Sequence, residues 1–349
     1  MVNHPHPNLE IHMQLKRLAI AVLAAAPLLA AAQSNVTIYG VLDAALSKED
    51  TGAVNGKKTL QVNSGSQSSS RFGFRGTEDL GGGLKAIFNL EAGYALDTGV
   101  GDAALFGRRS VVGLQGDFGS VMIGREYTPV ADVAAATDIL GQGLYGTNLN
   151  AFGAGRLTRR ISNSVNYKSN PMSGFQVGLA YGAGEVNVGP SQNLKGISGS
   201  YSNGPVYVGA AYQVYQRVTT GDDKELIVGA GFKFADFEVK GGYIRADPDG
   251  ASNKFEQVNL GASYTLAANK FFLQLQQNKL EGGAKGNEWA LGYTYSLSKR
   301  TNLYAAYATM RNNNRATFGI NSGSTNVTPV ATALGADPKA LSLGVRHSF

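Results

Sequence analysis

The chain repeats a unit in which apolar side chains occupy every second position for about ten residues before a turn. Because side chains alternate across a strand, each copy predicts a strand with one apolar face and one polar or small face. The clearest copy alternates from Leu84 to Leu96. The final copy ends the chain with Leu341, Leu343, Val345, His347 and Phe349.

This reading predicts sixteen strands from Val36 onward, the second beginning near Ser70, joined by turns that are alternately short and long. In hydrocarbon every backbone N–H and C=O needs a partner, which strands obtain only in a closed sheet. We therefore expect an all-β fold, a 16-stranded antiparallel transmembrane barrel with short periplasmic turns. The alternative, a soluble sandwich, would leave sixteen apolar faces partly solvated.

Residues 1–32 have the pattern of a cleaved export signal. Lys16 and Arg17 precede an apolar run, and small residues lead to a predicted cleavage near Ala32 and Gln33. Met13 would begin a signal of ordinary length, so we expect it to be the true start. Residues 33–349 would then form the barrel, exported to the outer membrane.

Composition and charge argue against several classes of function. The formal charge of +6 comes from scattered basic residues, with no nucleic-acid motif around them. The chain has no Cys, and three of its four His precede the predicted cleavage site. No nucleophile elbow, phosphate loop or metal-ligand cluster is present in the sequence, so we expect no catalytic residues, no cofactor and no metal site.

Four spaced motifs resemble the general porins of Gram-negative bacteria, in particular the betaproteobacterial branch. They are SRFGFRGTEDLGGGLKAIFNLEAG (70–93), FGRRSVVGLQGDFGSVMIGREYTP (106–129), RISNSVNYKSN (160–170) and LSLGVRHSF (341–349). The resemblance implies a homotrimer whose third external loop folds into the barrel and narrows it. Small hydrophilic solutes and ions would then cross by passive diffusion.

Selectivity in such a pore comes from charged side chains that face one another across a narrow section. Alternation places four basic residues on the inner wall: Arg71, Arg75, Lys85 and Arg109. Arg108 is ambiguous, because the family motif puts a pore arginine there whereas strict alternation turns it outward unless a bulge intervenes. Alternatively, these cations simply hold the wall together by pairing with Glu78, Asp79, Glu91 or Glu126.

The segment 128–160 is the expected constriction loop, with Asp132 and Asp138 as its acids. Relatives often read NSVRY where this chain has Asn166 in NSVNY, so one pore arginine is expected to be missing.

The sequence therefore favours a weakly anion-selective general channel. The alternative is a substrate-specific channel of the same fold for anions such as organic acids. The terminal Phe349 is expected to be read by the barrel-insertion machinery, and lipopolysaccharide is an expected lipid partner.

Overall fold

The computed structural model describes residues 35–56, 58–218, 221–250 and 253–349, so the predicted signal peptide, Met13 and the cleavage site lie outside the described residues. One antiparallel 17-stranded sheet dominates the fold. Its strands are β1 (Asn35–Asp50), β2 (Lys58–Ser64), β3 (Arg71–Gly81), β4 (Leu84–Gly93), β5 (Arg109–Gly116), β6 (Gly119–Tyr127), β7 (Arg160–Lys168), β8 (Phe175–Gly182), β9 (Leu194–Asn203), β10 (Val206–Val218), β11 (Gly221–Phe234), β12 (Phe237–Asp247), β13 (Phe255–Leu266), β14 (Asn269–Leu280), β15 (Lys285–Ser296), β16 (Thr301–Asn312) and β19 (Lys339–Ser348). A separate two-stranded hairpin comprises β17 (Ile320–Asn321) and β18 (Asn326–Val327).

The sheet closes on itself, because β1 pairs with the last strand, β19, along Val41–Asp50. On its other edge β1 pairs first with β3 and then with β2. Since β2 and β3 share one position around the cylinder, the barrel has sixteen positions. The predicted 16-stranded antiparallel barrel is confirmed.

The two faces of each strand carry the predicted chemistry. In β13, Val258 and Leu260 are more than half exposed on the outside, whereas Gln257 and Asn259 are buried on the inside. Aromatic pairs lie beside the short turns, such as Phe237 with Tyr264, whose ring centroids are 4.4 Å apart. Such rings are typical of the boundary between lipid and water. Among the described residues, no helix is long and apolar enough to cross a bilayer.

The second barrel position differs from the prediction, which began that strand near Ser70. The strand starts earlier, at Lys58, and is interrupted between Ser64 and Arg71. Asp43 of β1 holds the interruption in place, because its Oδ2 accepts hydrogen bonds from the backbone N–H groups of Gln67 (3.1 Å) and Ser68 (2.7 Å). The residues between Ser64 and Arg71 are polar and form no strand pairs, so the alternating pattern stops there. For this reason the sequence pattern did not reveal the short strand that precedes them.

The segment between β6 and β7 contains a helix that alternation did not predict. Helix α1 (Pro129–Ala136) is capped by Thr128, whose Oγ1 accepts from the N–H of Ala131 (3.3 Å), and has Pro at its start. A 3-10 segment follows at Asn148–Gly155. The apolar side of α1 packs against β8–β11.

The main buried apolar cluster lies between this segment and the inward side chains of the barrel. The loop contributes Val130, Val133, Ile139, Leu144 and Tyr145, and the wall contributes Ile227, Ile244, Phe255, Tyr304 and Met310. Part of the inner face is therefore apolar, where the loop covers it.

Candidate channel lining

Two of the predicted wall arginines share one carboxylate. Arg108 Nε donates to Oε1 of Glu91 on β4 (2.7 Å), and Arg71 Nε lies 3.5 Å from Oε2 of the same carboxylate. The hydroxyl of Tyr39 donates to the same Oε2 (3.0 Å). One negative charge thus faces two positive charges, so the group keeps an excess of positive charge.

Arg108 lies on the inner side, and strict alternation is wrong for it. The strand β5 starts only at Arg109, one residue later, and the backbone N–H of Arg108 donates to the carbonyl of Glu91 (3.2 Å). Alternation applies only within a strand, so two consecutive arginines can face the same way at its entrance. No bulge at this position is needed.

The other three wall cations differ in their partners. Arg109 donates from Nε to Glu126 Oε2 (2.8 Å), with a second contact through Nη2. Arg75 lies over the ring of Tyr39, 5.1 Å from its centroid. Neither Arg75 nor the exposed Lys85 forms an ion pair among the described residues. The wall therefore combines paired arginines with cations that stay available to solutes.

Three further arginines reach the same region. Arg160 lies 4.4 Å from the ring centroid of Tyr127 and Arg159 5.8 Å from it, and Arg160 Nη2 donates to the Tyr127 hydroxyl (2.5 Å). On β19, Arg346 Nε donates to Ser68 Oγ (2.8 Å). Burial lowers the pKa of Arg159 to about 10, which leaves it protonated at neutral pH. The sequence offered only one signal for these residues, the adjacency of Arg159 and Arg160.

We define the basic wall as a set of seven arginines on the inner face. Three carboxylates lie between them, those of Asp43, Glu91 and Glu126. Its members are Arg71, Arg75, Arg108, Arg109, Arg159, Arg160 and Arg346. The net charge of this part of the inner face is positive.

Segment 128–159 is the expected constriction loop without Arg160, which begins β7, and it crosses from the basic wall to other strands of the barrel. The Asn259 side chain of β13 donates to the carbonyl of Thr137 (3.3 Å), and the hydroxyl of Tyr145 donates to Glu49 of β1 (2.8 Å). Gly143 approaches so closely that a Cβ there would lie 1.6 Å from the carbonyl oxygen of Gln67. These contacts are all with inward-facing residues or with the interrupted second strand.

The two predicted acids of this segment have different surroundings. Asp132 is about half exposed and its Oδ2 lies 3.4 Å from Lys168 Nζ. Asp138 is fully buried and accepts from the N–H groups of Leu140 (3.2 Å) and Gln142 (2.9 Å) and from the Thr147 hydroxyl. Burial raises the pKa of Asp138, although these donors oppose the shift. Asp138 therefore organises the loop, whereas Asp132 can meet a solute.

Asn166, where relatives often carry arginine, is buried on the inner face. Its Nδ2 donates to Ser164 Oγ (2.8 Å). A cavity of about 240 Å³ lies beside it, lined also by Arg109, Glu126 and Asp132.

The loop between β16 and β19 also packs on segment 128–159, which the sequence did not indicate. Asn150 Nδ2 donates to the carbonyl of Gly319 (2.6 Å), and the Arg156 guanidinium lies 5.5 Å from the ring centroid of Phe318. Ser69 Oγ of the interrupted strand donates to the carbonyl of Gly323 (2.7 Å). Two loops and the strand interruption thus meet at one place.

Phe349 lies at the seam where the barrel closes. Its N–H and C=O exchange 3.1 Å hydrogen bonds with Gly40 of β1. Its ring covers Gly40, where a Cβ would lie 2.4 Å from Cζ, and remains 45% exposed. No group of three or more His, Cys, Asp or Glu in the described part of the chain is placed to hold a metal ion.

A family profile described as "Gram-negative porin" matches residues 19–315. Outer membrane porin protein 32 of Delftia acidovorans is 30% identical over 360 residues, which cover 97% of this chain and all of that protein. The chain belongs to the Gram-negative porins. The predicted family is confirmed, as is the outer membrane as its location.

Other relatives of this porin agree. An outer membrane porin protein of Bordetella pertussis is 30% identical over 84% of this chain and 93% of its own length. The solved anion-selective porin from Comamonas acidovorans matches with a TM-score of 0.79 and 29% identity, covering 91% of this porin and all of that chain. OmpT of Vibrio cholerae, solved in a trimer form, matches with a TM-score of 0.68 at 20% identity over 90% of this porin and 99% of that chain, which supports the fold alone.

Proposed function

We propose that this porin forms a water-filled channel for passive diffusion of small hydrophilic solutes, with a weak preference for anions. The observation that carries the anion preference is the basic wall, in which seven arginines face three carboxylates. The neighbour from Comamonas acidovorans is itself described as anion-selective. A family of channel proteins supports conduction rather than catalysis.

The magnitude of the preference follows from electrostatics. Two unit charges about 8 Å apart interact by roughly 0.5 kcal/mol in bulk water and about 2 kcal/mol at an effective dielectric of about 20. A few unpaired arginines therefore bias ion permeability several-fold and do not create a tight binding site. Shared carboxylates such as Glu91 reduce the bias further, because each neutralises part of the wall.

Segment 128–159 is the proposed constriction, with the loop between β16 and β19 as its support. Its contacts with inward residues on both sides of the barrel favour this role. We also propose that the porin assembles as a homotrimer, as the family resemblance implies.

Bilayer reversal potentials in a KCl gradient test the proposal. We expect the sign that corresponds to chloride preference, and a decrease in its magnitude as salt rises, since screening shortens the reach of the wall charges. A preference for potassium would refute the assignment of the basic wall as the selectivity element.

A substrate-specific anion channel is the second candidate, favoured by one observation. The buried Nε–H groups of Arg159 and Arg160 have no hydrogen-bond partner within the described chain, and planar guanidinium groups suit carboxylates. Conductance measured with potassium salts of small organic acids separates the two. Saturation with concentration would favour specific binding, whereas a linear rise would favour the general channel.

A further inference from the structure

Three polar side chains form a buried row across the inner face of the barrel, beneath segment 128–159. In this polar row Asn259 of β13 is opposite Gln276 of β14, which is opposite Glu288 of β15. Neighbouring strands are about 4.8 Å apart, so the three side chains are adjacent. None of them is more than 4% exposed. The row is therefore enclosed between the wall and the loop.

Segment 128–159 covers this row directly. Asn259 Nδ2 donates to the carbonyl of Thr137 (3.3 Å). Gly146 lies at the other end of the row, where a Cβ would be 3.6 Å from Glu288 Oε1 and 2.3 Å from Ala290 Cβ. The φ of Gly146 is 101°, a conformation that favours glycine. The loop thus closes over the carboxylate.

Each member of the polar row has one oxygen without a hydrogen-bond partner among the described residues. These atoms are Asn259 Oδ1, Gln276 Oε1 and Glu288 Oε1. The two amide nitrogens do have partners, since Gln276 Nε2 donates to Glu288 Oε2 (3.0 Å) and Asn259 Nδ2 donates to the loop. Buried polar atoms are nearly always paired with protein, water or an ion. The row therefore needs a group that binds oxygen atoms.

Glu288 also lacks a positive partner. No ion pair within the described ranges involves it. The charged side chain that acts on it is Asp138 of the loop, which is also acidic. Asp138 is stabilised by the donors Leu140, Gln142 and Thr147, whereas Glu288 accepts only from Gln276. A buried carboxylate with so little compensation is costly, which favours a counter-ion at the row.

A cation accounts for these observations better than a proton does. A proton on Glu288 would make one hydrogen bond to a neighbouring amide oxygen and would leave the other amide oxygen unpaired. Hard cations bind carboxylate and amide oxygens together, and potassium channels bind their ion through carbonyl oxygens. One carboxylate with two neutral oxygens balances a single positive charge, which favours sodium or potassium over a divalent ion.

We infer that the wall and segment 128–159 enclose a binding site for an alkali cation, coordinated by Asn259 Oδ1, Gln276 Oε1 and Glu288 Oε1. The bound ion neutralises the polar row and stabilises the docked loop. The sequence predicts no metal site, because one carboxylate and two amides on three strands match no ligand motif. The inference goes beyond the proposed channel function, since it concerns an ion held between loop and wall and not a permeating solute.

Hydrogen–deuterium exchange of the detergent-solubilised full porin tests the inference. Peptides covering 137–146 are compared in NaCl or KCl and in N-methylglucamine chloride of equal ionic strength. An ion at about ten times its dissociation constant lowers the open population about tenfold, so these peptides should exchange roughly tenfold more slowly in the alkali salts. Peptides from β5 and β6, away from the polar row, should exchange alike in all three salts.

Two variants locate the effect. Glu288→Gln keeps the size of the side chain and removes its charge, so the difference between the salts should disappear. Glu256→Gln is the matched control, because Glu256 has the outward register on β13 and accepts from the Tyr243 hydroxyl (2.7 Å). It should keep the full difference. In crystals grown with RbCl, anomalous scattering should show an ion at the polar row of wild type and none in Glu288→Gln.

Three results would overturn the assignment. Equal exchange of wild type in all salts would indicate that Glu288 holds a proton and no ion. A full salt difference in Glu288→Gln would place the ion elsewhere, and its loss in both variants would indicate a general effect of charge. Retention of heat-modifiable barrel in both variants verifies folding. Because exchange is measured without conduction, failure of this test is distinct from failure of the channel proposal.

Discussion

The two halves of the barrel's inner face carry different chemistry. The basic wall on β3–β7 and β19 presents arginines, whereas β13 and β14 present uncharged amides such as Gln257, Asn259 and Gln274, which lie buried beside segment 128–159. Covering an amide costs less than covering a guanidinium, because a charge loses far more hydration. The loop covers these amides, and most arginines of the basic wall keep contact with solvent.

The amide half is not fully satisfied by the loop. Both polar atoms of Gln274 and one oxygen each of Gln257 and Asn259 have no hydrogen-bond partner among the described residues. Unpaired buried polar groups oppose docking, so apolar contacts and a few close approaches hold the loop. Under the proposed function, the arginine half would set the charge of the channel and the amide half, through the docked loop, its width.

The largest effect is expected at the seam that makes the two halves one cylinder. Deleting Phe349 removes its two backbone hydrogen bonds to Gly40 and uncovers that glycine. We expect most of the chain to fail to insert, measured as loss of heat-modifiable barrel in outer-membrane fractions. Phe349→Tyr, which retains the ring, is the control and should insert normally. Normal assembly of the deletion variant would show that Phe349 is dispensable as an assembly signal.

A second variant tests whether the docked position of the loop sets the channel width, at the contact between the loop and the interrupted second strand. In Gly143→Ala the new Cβ meets the Gln67 carbonyl oxygen at 1.6 Å, so the loop tip must move. Overpacking of this kind costs about 1–3 kcal/mol, which raises the undocked population roughly 5- to 150-fold. We expect noisier and larger single-channel conductance and faster swelling of liposomes with trisaccharides.

Gly153→Ala is the matched control in the same loop, because its nearest neighbouring atom would be 3.8 Å away. It should conduct like wild type. If both variants behaved alike, the contact at Gly143 would not determine loop position.

The charged half is tested with Arg75, which has no carboxylate partner to leave behind. Arg75→Gln should lower the ratio of chloride to potassium permeability by up to about fivefold, since one charge at about 8 Å attracts chloride and repels potassium by roughly 0.5 kcal/mol each in water. Gln274→Met on the neutral half changes no charge and should leave the reversal potential unchanged. An equal shift in the two variants would remove the distinction between the halves.

The smallest effects are expected from the two loop acids. Asp132→Asn removes an exposed charge and should raise anion preference by less than about twofold, because solvent screens it. Asp138→Asn should leave selectivity unchanged while weakening the loop by about 1–2 kcal/mol, because one of its backbone donors would face an amide N–H. Limited proteolysis of segment 128–159 detects the second effect. A selectivity shift in Asp138→Asn would place that carboxylate in the conducting path.

Alternation made the barrel predictable, because period-two patterns such as Leu84 to Leu96 are local and long. It failed where contacts between distant parts of the chain determine the local structure. The interruption after Ser64 depends on Asp43, and the helix α1 depends on apolar wall residues that strands far along the chain supply.

The same limit applies to the channel lining. Arg71 and Arg75 could be placed on the inner face because they are inside a regular strand. Arg108 could not, because it precedes its strand, and Arg159 could not, because it ends a loop whose path only the folded barrel defines. The pairing of Glu91 with two arginines is likewise a property of register, not of sequence spacing.

The loop between β16 and β19 keeps Phe318, Ile320 and Val327 out of solvent by packing on segment 128–159. The same loop leaves two large apolar side chains, Val330 and Leu334, more than half exposed. An antibody or phage protein that anchors on this loop through an apolar contact would therefore have to use these two positions rather than the three that are packed inside.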